Sequence, residues 1–293
     1  MSSNGPIAQS GLSRRNMMLT ALAAAGVGML PQMGSIARAD AKLKAEAAPF
    51  KGLKVGVATY TFNKFKQDEA IKGVQRVGVA YCSIKDFHLP FKSTAEERKA
   101  GFEKFKAAGI TPLSVGNITL KNDEAQVREM FQYAKDVGVS VMVCAPAKEA
   151  LPICEKMVKE FDIKMAIHNH GPEDKNFPSP YDIMAAVEKM DERMGCCIDV
   201  GHAARAGTDP AEAILKIGKR VYDIHIKDLA RIDRRSIPIE CGRGVLDLKG
   251  ILAALLEIKF QGHVGFEHEK DATDVLPGLA ESVGYVRGVL AGM

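Results

Sequence analysis

Short apolar segments alternate eight times with amphipathic segments of helical length, and this alternation restricts the fold more than any other feature of the chain. The strand-like segments are residues 53–62, 79–85, 110–117, 139–145, 164–169, 195–200, 221–227 and 262–268. The helical segments are residues 66–77, 94–108, 122–136, 148–160, 180–192, 209–219, 247–258 and 274–291. Such alternation gives parallel strands joined by right-handed crossovers, and eight repeats favour closure of the sheet. The sequence therefore predicts an α/β protein with one (β/α)8 barrel domain.

An open, doubly wound sheet is the alternative arrangement of the same elements. That fold carries a Gly-x-Gly-x-x-Gly phosphate-binding turn after its first strand. Residues 57–60 of this chain read Val-Ala-Thr-Tyr instead. No linker rich in Pro, Gly or Ser interrupts residues 50–293, which favours one domain over two. We expect that domain to span residues 51–293.

Residues 1–39 have the pattern of a cleavable export signal. Residues 13–19 read Ser-Arg-Arg-Asn-Met-Met-Leu, an apolar run follows to Leu30, and residues 37–39, Ala-Arg-Ala, fit a cleavage site. A retained membrane anchor is the alternative, but a run of about 12 residues is too short to cross ~30 Å of hydrocarbon. We expect the twin-arginine machinery to export the chain to the periplasm, with no stable membrane insertion after cleavage. A short mobile segment at residues 40–50 would then precede the barrel.

Composition and charge exclude three classes of protein. With 46% hydrophobic and 26% charged residues, the chain is neither disordered nor collagen-like. The net charge is +4, and Arg14, Arg15 and Arg38 supply three of these charges, which leaves +1 for residues 40–293. A nearly neutral chain offers no electrostatic footprint for nucleic acid. The six cysteines form no Cys-x-x-Cys pair, so we expect buried thiols rather than a zinc-thiolate site.

Polar residues collect at the carboxyl ends of five predicted strands, which is where barrel enzymes place their functional side chains. Six of the seven histidines belong to this set, and only His263 stands at the start of a strand. The five strand ends read Lys85-Asp86-Phe87-His88, His168-Asn169-His170, Asp199-Val200-Gly201-His202, Asp223-Ile224-His225-Ile226-Lys227-Asp228 and Glu267-His268-Glu269. This concentration predicts one functional site at the mouth of the barrel.

Side chains alternate along a strand, so one member of each set can point at the barrel axis. We expect His168, Asp199, His225 and Glu267 to converge there from four successive strands. Two imidazoles and two carboxylates suit one divalent ion, Mn²⁺, Zn²⁺, Co²⁺ or Fe²⁺, with Mg²⁺ also open. The alternative is four separate hydrogen-bonded groups, but converging ionisable groups need a cation to offset their desolvation.

The motifs around these residues resemble those of a known family. They are "IKDFHLP" at 84–90, "DVGHAARAGTDPAEAI" at 199–214, "DIHIKD" at 223–228, "CGRGVLD" at 241–247 and "GFEHE" at 265–269. In this order they are similar to the sugar isomerase/epimerase branch of the xylose isomerase-like TIM barrel superfamily, which includes inosose dehydratase, ketose epimerases and hydroxypyruvate isomerase. The resemblance implies a divalent metal held by Asp199, His225 and Glu267, with His202 beside the substrate.

The fifth strand departs from the pattern of the ketose epimerases. Those enzymes usually carry a glutamate where this chain has His168, and their two metal-bound glutamates exchange protons with opposite sides of the sugar carbon. The segment "AIHNHGPED" at 166–174 is instead similar to the His-x-His of inosose dehydratase, which eliminates water from a keto-polyol. Elimination uses one base for the α proton and one acid for the leaving oxygen, so two different residues serve naturally.

Other strand-end residues are candidates for catalysis and substrate binding. Glu269 and His170 are the acid–base candidates, and Lys227 is the candidate for holding an oxyanion or hydroxyl of the substrate. The alternative is that Glu269 and His170 only support the metal ligands and that Lys227 neutralises a nearby aspartate. His88 and the loop residue Arg243 are candidate substrate contacts, although a solvated loop arginine is equally consistent with the sequence.

Together these features predict a divalent-metal-dependent isomerase or epimerase that removes the proton next to the carbonyl of a small carbohydrate or keto-polyol. A lyase or dehydratase on the same scaffold is the first alternative, and a non-catalytic sugar-binding barrel with a structural metal is the second. A phosphodiesterase acting at abasic DNA sites would need several zinc ions and a basic surface, which the sequence does not offer. The sequence leaves open whether the protein forms a homo-oligomer.

Overall fold

The computed structural model describes Met1 and residues 50–293. Apart from Met1, the predicted export signal over residues 1–39 lies outside the described residues, as does the predicted mobile segment up to residue 49. Residues 50–293 include every predicted strand and helix of the barrel.

Eight parallel strands close into a barrel in the order β1-β8-β7-β6-β5-β4-β3-β2. They are β1 (Lys54–Ala58), β2 (Tyr81–Ile84), β3 (Thr111–Leu120), β4 (Val141–Pro146), β5 (Lys164–His168), β6 (Met194–Asp199), β7 (Val221–Ile226) and β8 (His263–Phe266). Closure comes from the parallel pairing of β1 with β8, in which Val57 lies opposite Phe266. The predicted (β/α)8 barrel is confirmed, and the alternative of an open sheet is wrong.

Helices connect the strands and cover the outside of the barrel. They are α1 (Gln67–Arg76), α2 (Ala95–Ala107), α3 (Glu124–Val137), α4 (Leu151–Phe161), α5 (Pro180–Val187), α6 (Val200–Arg205), α7 (Pro210–Ile217), α8 (Leu248–Glu257) and α9 (Leu276–Ala291). Local sequence explains their ends. For example, the side chain of Asp123 accepts hydrogen bonds from the first amides of α3, and Gly138 ends that helix with φ 92°.

The hydrophobic core has two parts, one inside the barrel and one between the strands and the helices. Every residue of β6 and of β7 is buried, because helices cover the outer face and the other strands cover the inner face. Helix α3 contributes Val127, Met130, Phe131 and Ala134, which recur at the helical spacing of three and four residues. Side chains at the carboxyl ends of these strands therefore project from a tightly packed support.

Two elements of the mouth differ from the predicted segments. Helix α6 begins directly after β6, where no helix is predicted between residue 200 and residue 209. After β7, the loop up to α8 contains a short antiparallel ribbon in which Asp228–Leu229 pairs with Pro238–Ile239. Both elements lie at carboxyl ends of strands, so both border the site. Strand β3 also continues to Leu120, three residues beyond its predicted end.

All six cysteines are free and buried, as the sequence predicts. Burial raises the pKa of the Cys197 thiol well above its ordinary value, so this thiol stays protonated although it lies beside His168 and His225. Within residues 50–293, no helix combines the length and the apolar character that crossing a membrane requires.

Candidate active site

The four residues predicted as metal ligands come together at the carboxyl ends of β5 to β8. His168 and Asp199 are the last residues of β5 and β6, His225 is the fifth residue of β7, and Glu267 directly follows β8. Each offers one donor atom, and these atoms all lie within 4.8 Å of one another. Four strands of the barrel thus place four potential ligands around one point.

Distances within this group are short enough for a shared ion. Nε2 of His168 lies 2.9 Å from Nδ1 of His225. A carboxylate oxygen of Asp199 lies 3.6 Å from His168 Nε2, and one of Glu267 lies 3.4 Å from His225 Nδ1. His168, Asp199 and His225 are at most 2% exposed. Buried acids and imidazoles this close together match the nitrogen and oxygen set of a divalent transition-metal site.

Protonation states at three of the four residues suit metal binding. Burial lowers the pKa of His168 to about 3, which leaves its imidazole neutral with a free lone pair. Burial disfavours the charged form of Asp199 and of Glu267, but the ammonium of Lys227 outweighs it and holds the pKa of both carboxyls well below the usual range. His225 differs: burial opposes its charge, yet the Glu267 carboxylate prevails and raises its pKa to about 9, so this imidazole would release a proton on binding an ion. The other three residues already have the protonation states of metal ligands.

Lys227 is a buried ammonium group between three carboxylates. Its Nζ lies 2.9 Å from Asp199 Oδ2 and 2.7 Å from Glu267 Oε2, and it also contacts Glu269. The side chain is only 4% exposed. With one positive and three negative charges, this group carries a formal charge of about −2, which a divalent cation would balance.

Helix α6 fixes the orientation of Asp199. Its Oδ1 accepts a hydrogen bond from the amide of His202 and so caps the helix, while the Asn169 side chain pairs with the Asp199 backbone in both directions. With Oδ1 used in this way, Oδ2 lies between Lys227 Nζ and Nε2 of His168, another of the four potential ligands. A local helix start thereby orients one ligand.

His202 presents a defined ring nitrogen to the site. Nη1 of Arg205 lies 3.0 Å from His202 Nδ1, and because guanidinium groups only donate hydrogen bonds, Nδ1 accepts. The ring proton of His202 therefore sits on Nε2. Arg205 is itself held by Glu173 and by the carbonyl of Arg234. Burial lowers the pKa of His202, which favours this neutral form.

A cavity of about 370 Å³ opens beside the four potential ligands. His170, His202 and Glu269, three of the predicted catalytic residues, line it, and Lys227 lies beneath Glu269. Nε2 of His170 lies 3.0 Å from the amide nitrogen of Asn117, and its Nδ1 lies 3.3 Å from Asp174. The remaining lining residues are Tyr60, Lys85, Asn117, Thr119, Ala145, His168 and Glu267. The volume is in the range of small-molecule sites.

The two predicted substrate contacts lie elsewhere. His88 is 3% exposed, its Nε2 donates to the carbonyl of Phe65, and its Nδ1 pairs with the hydroxyl of Thr59. It joins the segments after β1 and β2 and does not line the cavity of the four ligands. Arg243 is largely exposed and pairs with Glu281 of α9, 2.7 Å away. Neither side chain is brought to the site.

Several cavity residues are absent from the predicted set. Lys85 stands among the strand-end residues of the sequence, and Asn117 is the last residue of its predicted strand, so position could have indicated both. Tyr60 and Thr119 could not be found this way, because the first predicted strand runs past Tyr60 to residue 62 and β3 extends past its predicted end at residue 117. Arg205, which contacts His202 but does not line the cavity, lies in a helix that is not predicted from the sequence.

The loop from Cys241 to Leu246 is organised by one carboxylate. Asp228 is 1% exposed and accepts hydrogen bonds from four backbone amides. Their donors are Leu229, Gly242, Gly244 and Leu246. A Cβ on Gly244 would lie 2.2 Å from Asp228 Oδ1, so this close approach requires glycine. These hydrogen bonds hold the loop after β7 in a defined conformation, which places Arg243 outside the cavity.

Comparison with known proteins agrees with this geometry. A family model described as "Xylose isomerase-like TIM barrel" matches residues 71–288. Among curated proteins, the rhizopine catabolism protein MocC of Rhizobium meliloti is 26% identical over 156 residues, which are 48% of this chain and 47% of that protein. The match therefore spans about half the length of this relative.

Two solved structures illustrate the shared fold. The IOLI protein, described with a bound zinc atom, superposes with a TM-score of 0.68 at 17% identity, over 82% of this chain and 99% of its own. The 3-keto-D-glucoside 4-epimerase YcjR from E. coli gives a TM-score of 0.64 at 15% identity, over 80% of this chain and 99% of its own. At these identities the likeness is one of fold.

Proposed function

This chain belongs to the xylose isomerase-like TIM barrel family, and from that premise we propose that it is a divalent-metal-dependent sugar isomerase or epimerase. Its reaction is removal of the proton next to the carbonyl of a small carbohydrate or keto-polyol. One observation carries the proposal: two imidazoles and two carboxylates converge within 4.8 Å beside a cavity with a further carboxylate, Glu269. Two similar proteins support it: YcjR is named as a 3-keto-D-glucoside 4-epimerase, and the IOLI protein is described with a bound zinc atom.

His168, Asp199, His225 and Glu267 would hold the ion. When bound, the metal would supply a Lewis acid that polarises the carbonyl and offsets negative charge developing on its oxygen. Lys227 holds Glu267 and Glu269 in place through its contacts with both, and its ammonium group keeps Glu267 ionised. The protein thereby provides an ordered, partly desolvated pocket for a polyhydroxylated substrate.

Proton transfer in this proposal falls to residues that line the cavity. Glu269 is the base, because it lines the cavity and its contact with Lys227 holds its carboxylate in place. His202 donates from Nε2 to a substrate oxygen, since Arg205 occupies Nδ1. His170, with one nitrogen against Asn117 and the other against Asp174, is the candidate acid or base on the opposite wall.

The identity of residue 168 favours elimination as a second candidate function. His168 is 2% exposed and is packed against Asp199 and His225, so it does not offer the second carboxylate of a symmetric proton exchange. Glu269 as base and His170 or His202 as acid form an unequal pair. Such a pair suits loss of a leaving oxygen from a keto-polyol or a keto-glycoside.

The decisive experiment combines metal analysis with proton exchange. Purified protein would be assayed for bound metal and then incubated with ketoses and 3-keto-glucosides in D₂O, followed by NMR. We expect one divalent ion per chain and deuterium at the carbon next to the carbonyl. Release of water or of an alcohol, with an unsaturated product, would select elimination over isomerisation or epimerisation.

Two variants separate metal binding from proton transfer. Asp199→Asn removes a ligand charge and should abolish both metal content and exchange. Glu269→Gln should keep the metal but slow exchange by about 10²–10⁴-fold, the usual contribution of a general base. If the metal-loaded wild-type protein binds these sugars but neither exchanges the proton nor releases a leaving group, the non-catalytic sugar-binding barrel is the correct function.

A further inference from the structure

Two neighbouring aromatic rings are exposed at the mouth of the barrel. Of the 12 phenylalanines, all of which lie within residues 50–293, only Phe87 is exposed, with 47% of its surface accessible to solvent. Tyr60 is 37% exposed. Their ring centroids are 5.9 Å apart with an interplanar angle of 43°. An exposed ring lacks the hydrophobic stabilisation that a buried ring gains. Two such rings side by side are therefore a feature that a ligand-binding surface would explain.

The pair is continuous with the candidate active site. Tyr60 follows β1 and lines the cavity that holds His168, Glu267 and Glu269, and Phe87 follows the adjacent strand β2. Since β1 is also the neighbour of β8, the rings stand beside the Glu269 side of the site. A substrate bound at the four potential ligands that extended past Glu269 would meet Tyr60 first and then Phe87.

Polar groups frame the two rings. Nζ of Lys85 lies 5.6 Å from the centre of the Phe87 ring, 2.7 Å from Asp86 Oδ1 and 2.6 Å from the carbonyl oxygen of Asn117. Lys85 and Asn117 also line the cavity. Apolar ring faces bordered by hydrogen-bonding groups match a ligand whose ring has C–H faces and a polar edge, because the electron-rich aromatic face attracts C–H groups.

We propose that Tyr60 and Phe87 form a second binding subsite, which receives the ring attached to the reacting sugar, so that the substrate is a glycoside rather than a free monosaccharide. The inference rests on the proposed function, because the reacting sugar must sit at the four potential ligands. The second ring, a pyranose or an aryl group, stacks on the Tyr60 and Phe87 faces, and Lys85 contacts the hydroxyl edge of a pyranose. Binding of the second ring would then cover the two aromatic faces that are otherwise exposed to solvent.

The test compares probes that differ only in the second ring. Affinities of the metal-loaded full-length protein for methyl β-D-glucopyranoside, phenyl β-D-glucopyranoside and cellobiose would be measured by ligand-observed NMR titration. None of the three carries the keto group, so binding is measured without turnover. We expect phenyl glucoside or cellobiose to bind at least about fivefold more tightly than methyl glucoside, the range of one aromatic contact. The two ring-bearing probes show whether the subsite prefers an aryl group or a sugar.

Variants assign the preference to the two rings. Phe87→Ala and Tyr60→Ala should each remove most of the preference for the ring-bearing probe, and Tyr60→Phe, which keeps the ring, should retain it. Leu215→Ala, an exposed side chain on the outer helix α7, is the control and should change nothing. Equal affinity for all three probes in the wild type, or an unchanged preference in Phe87→Ala, overturns the subsite. Failure of the proposed function is separate, because it appears as no deuterium exchange and no product from any keto-sugar.

Discussion

At the scale of single residues, Lys227 controls the charge of the site. Its ammonium group is 4% exposed and touches the carboxylates of Asp199, Glu267 and Glu269. Burial disfavours its charged form, but the three carboxylates outweigh this effect and raise the pKa of Lys227 well above the ordinary value. It therefore stays protonated and limits the repulsion between acids that must lie close together to bind a metal.

Replacing this residue tests the balance of charge. In Lys227→Met, we expect the free energy of unfolding to fall by about 3–5 kcal/mol, because buried carboxylates lose their partner. A divalent metal should restore part of the loss, since it supplies positive charge at the same carboxylates. Chemical unfolding with EDTA and with Mn²⁺ measures both effects. Lys219→Met, at an exposed position, is the control and should change stability by less than about 0.5 kcal/mol. Equal stability of the two variants would contradict the role given to Lys227.

Residue types and strand period were sufficient to predict which four potential ligands converge, because alternation along a strand fixes the face and the carboxyl ends of all strands meet at one mouth. His88, from a strand end, and Arg243, from a loop, do not line the cavity. His88 satisfies its ring nitrogens locally with Thr59 and Phe65, and Arg243 pairs with Glu281. Thr59 and Phe65 are 29 and 23 positions away from His88, and Glu281 is 38 positions away from Arg243. No periodicity in the sequence reveals contacts of this kind.

At the scale of elements, the loop after β7 depends on Asp228. This carboxylate accepts four backbone hydrogen bonds and is nearly fully buried. The sequence identifies only a loop there, with Arg243 in it. It could not show the carboxylate at the centre, because Asp228 is in contact with residues up to 18 positions away.

Asp228→Ala should therefore loosen the loop without breaking the barrel. We expect a loss of about 2–4 kcal/mol in the free energy of unfolding, because buried amides lose a charged acceptor. Hydrogen exchange should show loss of protection at the amides of Gly242, Gly244 and Leu246 first. Asp228→Asn keeps one acceptor oxygen and should give an intermediate loss. Unchanged protection at these three amides in Asp228→Ala would show that the loop is held by other contacts.

At the scale of the whole molecule, barrel closure brings distant parts of the chain to one point. His168 and Glu267 are 99 positions apart, yet β5 to β8 place them around the same centre. The eightfold alternation was enough to predict this closure, since few other architectures accept eight parallel units. Export by the twin-arginine route stays a prediction, because residues 2–49 lie outside the described part of the chain.

Since the four potential ligands lie on or next to four different strands, a bound metal should stabilise the entire barrel. A ligand that binds only the folded state at 100 times its Kd stabilises it by about 2.7 kcal/mol. For a domain of this size each kcal/mol raises Tm by about 2–4 °C, so we expect Tm to rise by about 5–10 °C. Calorimetry after EDTA treatment, with Mn²⁺, Zn²⁺, Co²⁺ or Mg²⁺ added back, measures the shift.

Two histidines among the donors favour the transition metals over Mg²⁺, so Mg²⁺ should give the smallest shift at equal concentration. Asp199→Asn and Glu267→Gln should respond to none of the four ions, whereas Glu269→Gln, outside the donor set, should respond like the wild type. If the ligand variants gained the same rise in Tm as the wild type, the ion would bind elsewhere. The barrel mouth would then hold a hydrogen-bonded cluster around Lys227 rather than a metal centre, because Lys227 already contacts both carboxylates.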